Sequence, residues 1–135
     1  METKEILQKY KIIAVVGFSD NPDRDSYGIS DFMNRNGYKV IGVNPRLDGK
    51  TINGIVCYSA LNDIPEKVNI VNIFRKPAAV KGIVEEVLKM KERPAVVWAQ
   101  LGIANEEAKK LARKNGIIYI EDKCIYVEHK LNHIN

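Results

Sequence analysis

The chain has no apolar run long enough to cross a bilayer, and its N-terminus lacks the apolar stretch of a secretory signal. No membrane partner is expected, and the expected location is cytoplasmic. Cysteine is scarce: Cys57 and Cys124 form neither a C-x-x-C pair nor a metal-ligand spacing, so reduced thiols are expected. Neither G-x-G-x-x-G nor a Walker sequence is present, and no Ser/His/Asp order or paired-carboxylate motif names a reaction. No catalytic residue is assigned. His129 and His133, i and i+4, could share a helix face toward a metal. No third ligand or general-base glutamate accompanies them, so a solvated tail is the simpler reading and no metal is expected. There is no Pro/Gly/Ser-rich linker, no repeat and no low-complexity tract, and residues 1–135 read as a single domain. A formal charge of +4, with lysines spread along helices, does not demand nucleic acid. It would suit a small polyanion.

What is present is a soluble-protein balance of 45% apolar and 28% charged residues, arranged as strands alternating with helices. Thr3 to Tyr10 reads as a leading helix that packs on the sheet edge. Ile12–Val16 is a β-branched run suited to a strand buried on both faces. Gly17 ends it, a polar loop from Ser19 to Asp25 follows, and a helix begins near Ser26. Ile29, Phe32 and Met33 lie on one face of that helix, and Asn36-Gly37 ends it. A second strand, Lys39–Val43, stops at Asn44-Pro45. Arg46 to Gly54 is turn-rich, with Asp48-Gly49 as its strongest turn signal. Ile55–Tyr58 reads as a short extended segment, and Ser59 to Ile64 as one helical turn.

Strands are also expected over Val68–Ile73, Ala95–Trp98 and Ile117–Ile120. Val80, Ile83, Val84, Val87 and Leu88 define the clearest amphipathic helix. Asn105 caps the next one and Asn115-Gly116 closes it. The tail from Glu121 ends in a short helix. With no hairpin expected between strands, the pattern predicts a three-layer α/β, Rossmann-like domain with a mostly parallel sheet of about five strands.

In such sheets ligands bind outside the carboxyl ends of the strands, where strand order reverses. Gly17 lets the backbone approach a ligand, and Ser19, Arg24 and Ser26 lie within reach of it. The free amides near Ser26 and Tyr27 offer a phosphate site. At the end of the second strand, where an NAD-binding unit usually has an acidic residue, stand Asn44, Pro45 and Arg46. A guanidinium there favours a phosphorylated ribose. Phe74 and Arg75, and Gln100, Leu101 and Gly102, leave other strands at the same rim. Each has a plainer alternative: Phe74 as core, Gln100 as a cap on the following helix. Cys124, beside Lys123 and near Glu121 and Asp122, reads as a half-buried structural cysteine rather than a catalytic nucleophile.

Val15-Val16-Gly17-Phe18-Ser19, Ser26-Tyr27, Gly37-Tyr38-Lys39-Val40, Val43-Asn44-Pro45, Phe74-Arg75, Trp98-Ala99-Gln100-Leu101-Gly102 and Cys124 together resemble the small stand-alone CoA-binding proteins. These are similar to the CoA-binding domain at the N-terminus of succinyl-CoA synthetase α subunits. The resemblance runs from about Lys11 to Glu128, and the V-N-P and W-x-Q-L-G strings are its most specific parts. It implies that coenzyme A binds through its nucleotide portion. Gly17, Phe18 and Ser19 would lie nearest the pyrophosphate, and Arg24 would add charge. Asn44, Pro45 and Arg46 would border the adenosine, with Arg46 toward the 3′-phosphate. Phe74 and Arg75 would wall the site, and Gln100 to Gly102 would follow the pantetheine. Small members lack the ligase domains, so the expectation is binding of coenzyme A or a short acyl-CoA without catalysis. The alternatives are a small NADP-dependent reductase using Arg46, and a regulatory interaction protein with a vestigial nucleotide site. Protein partners are not legible.

Overall fold

The computed structural model describes residues 1–132. Its centre is a seven-stranded sheet in the order β3-β4-β2-β1-β5-β6-β7, where β1 is Ile12–Val16, β2 Lys39–Val43, β3 Thr51–Ile52, β4 Ile55–Tyr58, β5 Ile70–Ile73, β6 Val96–Ala99 and β7 Ile118–Ile120. Every pairing is parallel except that of β3 with β4. β1 lies between β2 and β5, so the chain leaves β1 toward one edge and returns on its other side. That reversal opens a crevice at the carboxyl ends of β1 and β5.

Side-chain alternation along the strands builds two cores. On one face Ile13, Val15 and Val40 pack under α1 (Thr3–Lys9), α2 (Asp25–Arg35) and α5 (Ile125–Leu131), through Ile6, Leu7, Met33 and Ile125. On the other, Ala14, Val16, Ile41 and Val71 pack under α3 (Val80–Leu88) and α4 (Glu106–Lys114), through Val80, Val84, Val87, Ala108 and Ala112. The leading helix is therefore fixed to a sheet face beside α5 rather than to the sheet edge. Tyr38 reinforces that seat by donating its hydroxyl to Leu7 O at 2.6 Å. No helix among the described residues is long and apolar enough to cross a membrane.

Two expectations are corrected. The sheet has seven strands, and a hairpin does join two of them: Thr51 pairs with Val56 and Ile52 with Ile55. Its two-residue turn is Asn53-Gly54, both at positive φ (52° and 80°), the geometry of a type I′ hairpin. Asp48-Gly49 instead serves the turn after β2, where Gly49 N–H donates to Cys57 O at 3.0 Å. The third expected strand also starts late. Asn69 turns its side-chain oxygen back to accept the amides of Lys11 and Ile12, and regular pairing begins at Ile70.

Candidate functional site

The carboxyl ends of β1, β2, β4, β5 and β6 open into one cleft of about 1150 Å³, on the side where α2 and α3 begin. Gly17, Phe18, Ser19, Arg24, Ser26, Asn44, Pro45, Arg46, Phe74, Arg75, Gln100 and Leu101 all line it. Gly102 does not: its amide is bonded to Asp122 Oδ1 at 2.7 Å, tying the exit of β6 to that of β7.

Gly17 is required at the crevice for two reasons. Its φ is +88°, and a Cβ on it would stand 2.3 Å from Phe74 O and 3.0 Å from Arg75 Cδ. The β1 and β5 exits thus touch backbone to backbone. Phe18 contributes its main chain to the rim, while its ring is core and only 1% exposed. The ring occupies a slot left by Gly42, where a Cβ would lie 2.6 Å from Phe18 Cδ2 and 2.8 Å from Cys57 Sγ.

The loop between β1 and α2 is folded by its own side chains. Ser19 Oγ accepts the Asn21 amide at 3.0 Å, and Asn21 Oδ1 accepts the Asp23 amide at 2.9 Å. α2 then starts without a side-chain cap, its N-cap position being Arg24. The free amides are those of Asp25 and Ser26, which have no partner among the described residues. Tyr27 N–H, expected to be free, closes the first turn onto Arg24 O at 3.1 Å. Uncapped helix amides and their dipole make a seat for an anion.

Arg24, Arg46 and Arg75 are exposed on the cleft wall, and none is engaged in an ion pair among the described residues. With Lys76 they face Asp23, Asp25 and Glu86, so cationic groups outnumber acidic ones on this wall. Asn44 braces the second exit by accepting Arg46 N at 2.9 Å and donating to Phe18 O at 2.9 Å. Gln100, 4% exposed, does not cap the following helix, a task that Asn105 Oδ1 performs through Ala108 N at 2.9 Å. It accepts Ile125 N at 3.0 Å and so fixes the start of α5.

Sequence reasoning missed Ser59, Ala60 and Leu61, Lys76, the α3 residues Gly82, Ile83 and Glu86, Ile103, and Cys124 as cleft residues. The signal for Ser59 and Ala60 was present, since they follow Ile55–Tyr58, which pairs in parallel with β2. Cys124 likewise follows β7; it is half-buried and not in a disulfide. His129, expected in a solvated tail, is instead 5% exposed and set edge-on to the rings of Phe32 and Tyr38, while its i+4 neighbour His133 lies outside the described residues. No cluster of metal-ligating side chains occurs among the described residues.

Relatives share this architecture. The uncharacterised protein YneT of Bacillus subtilis is 44% identical over 128 residues, covering 95% of this chain and 92% of its own. A solved structure of a hypothetical protein from Pyrococcus horikoshii superposes with a TM-score of 0.89 at 36% identity, covering 97% of this chain and 89% of that one. One from Thermus thermophilus superposes with a TM-score of 0.90 at 35% identity, covering 98% and 99%. The CoA binding domain family matches residues 11–130, which hold all seven strands and the whole cleft wall, and the chain belongs to that family.

Proposed function

We propose that this protein binds coenzyme A or a short acyl-CoA through its nucleotide portion, and that it performs no catalysis of its own. The observation that carries the reading is the coincidence, in one cleft, of the uncapped amides of Asp25 and Ser26 with the guanidiniums of Arg24, Arg46 and Arg75, none in an ion pair among the described residues. A pyrophosphate suits the amides at the β1 crevice, and Gly17 leaves room for it to approach the backbone. Arg46, carried on the turn that Asn44 braces, suits the 3′-phosphate of the adenosine. Phe74 and Gln100 then border the path of the pantetheine toward β6.

Parallel thermal melts with CoA, acetyl-CoA, NADP and ADP test this. A ligand at a hundred times its Kd adds ~2.7 kcal/mol, a rise on the order of 10 °C for a domain of this size. CoA and acetyl-CoA are expected to raise Tm well beyond ADP. A larger rise with NADP would favour the reductase reading, and no rise with any of them would reject the nucleotide site.

A further inference from the structure

Two cleft groups remain unexplained by a nucleotide. The first is Gln100, whose side chain is buried in the wall with its Oε1 taken by Ile125 N at 3.0 Å. Its amide nitrogen has no hydrogen-bond partner among the described residues, and the residue lines the cleft. The second is the thiol of Cys124, one residue before Ile125. The hydrogen bond from Trp98 Nε1 to Lys123 O at 2.9 Å pins the segment that carries it. Cys57, the other cysteine, is fully buried, and burial followed by the charge of Asp20 pushes its thiol pKa up.

Their position in the sheet order gives these groups a meaning. Arg46 follows β2, whereas Gln100 follows β6 and Cys124 follows β7, on the far side of β1 and β5. At ~4.8 Å per strand, β6 stands roughly 14 Å from β2. A coenzyme with its phosphates at β1 and β2 has its arm directed toward β6 and its sulfur toward Cys124. Gln100 offers that arm an amide donor.

Resting on the coenzyme A reading, we propose that Cys124 is a thiol–disulfide exchange site for the coenzyme, with the disulfide form of CoA as its co-reactant. The Cys124 thiolate attacks one sulfur of the CoA disulfide. A Cys124 Sγ–S bond forms as the S–S bond breaks, and the second CoA departs as a thiolate that takes up the proton Cys124 released. The CoA disulfide supplies the oxidising equivalents: one half leaves as free thiol and the other remains as the protein mixed disulfide. The driving factor is local concentration. Holding the nucleotide places the disulfide beside Cys124 at an effective concentration in the millimolar range.

The full chain is incubated with sub-saturating CoA disulfide or with cystamine, a disulfide lacking the nucleotide, and adducts are followed by intact mass. The expected product gains one CoA less two hydrogen atoms, maps to Cys124, is reversed by dithiothreitol and is suppressed by excess 3′-phospho-ADP. It should form on the order of a hundredfold faster than the cystamine adduct. Reversible CoA binding to the wild type in dithiothreitol is measured alongside by calorimetry. Absence of that binding would reject the coenzyme reading. Its presence with equal rates for the two disulfides, or an adduct that persists in Cys124→Ala, would overturn the exchange site.

Discussion

The side-chain amide of Asn44 bridges two strand exits: Nδ2 donates to Phe18 O at 2.9 Å and Oδ1 accepts Arg46 N at 2.9 Å. One residue thus holds the loop after β1 and orients the turn that carries Arg46. Asn44→Ala removes both bonds and is expected to cost ~1–2 kcal/mol. Asn44→Asp keeps an acceptor for Arg46 N but sets a carboxylate against Phe18 O. Urea midpoints and CoA titrations should show affinity lost in both variants. Unchanged affinity in both would show that the brace does not serve the site.

Gly17→Ala places a methyl group 2.3 Å from Phe74 O at a φ of +88°. The backbone of β1 or β5 must shift, at a cost on the order of 1–3 kcal/mol for the conformation alone. A lowered urea midpoint is expected, together with CoA affinity reduced by more than tenfold. Gly28→Ala, on α2 with open space around the added Cβ, is the control and should be neutral or stabilising.

Arg46→Ala is expected to weaken CoA more than dephospho-CoA, because only the former carries the 3′-phosphate. A charge-assisted contact is worth ~1.5–3 kcal/mol, or roughly ten- to a hundredfold in affinity. Calorimetry of both ligands against both proteins completes the cycle. Equal losses would remove Arg46 from the 3′-phosphate.

Acid should loosen the packing of α5. Burial, and then the charge of Lys11, hold the His129 pKa below its ordinary 6.5. The native fold therefore favours the neutral ring. Its contribution to stability is fully present above pH 6.5 and is lost as pH falls through the depressed value. The groups shown to face or act on the ring are Phe32 from α2, Tyr38 before β2 and Lys11 before β1. Tyr38, pushed up to about 12 by burial, stays neutral throughout this window. The Nε2 of His129 has no hydrogen-bond partner among the described residues, so His129→Phe should keep the ring packing and lower the dependence of Tm on pH between 5 and 7. An unchanged pH profile would assign that dependence to other groups.

Local chemistry in the sequence determined the alternation of strand and helix, and with it the parallel sheet. Ile12–Val16 and Lys39–Val43 are strands residue for residue, because β-branched runs bounded by Gly17 and by Asn44-Pro45 leave little choice. The clustering of strand-exit residues at one rim was legible for the same reason, since parallel strands point their carboxyl ends the same way. The Asn53-Gly54 hairpin was not legible from periodicity, because two residues of β3 are too few to show a period.

Tertiary structure alone decided what each rim residue does. Phe18 turns its ring into the slot left by Gly42, Gly102 spends its amide on Asp122, and Gln100 reaches across to Ile125. These contacts join positions far apart in the chain, and no local pattern encodes such distances. The same holds for Cys124, whose place in the cleft follows from β7 lying beside β6 and from the bond that Trp98 makes to Lys123.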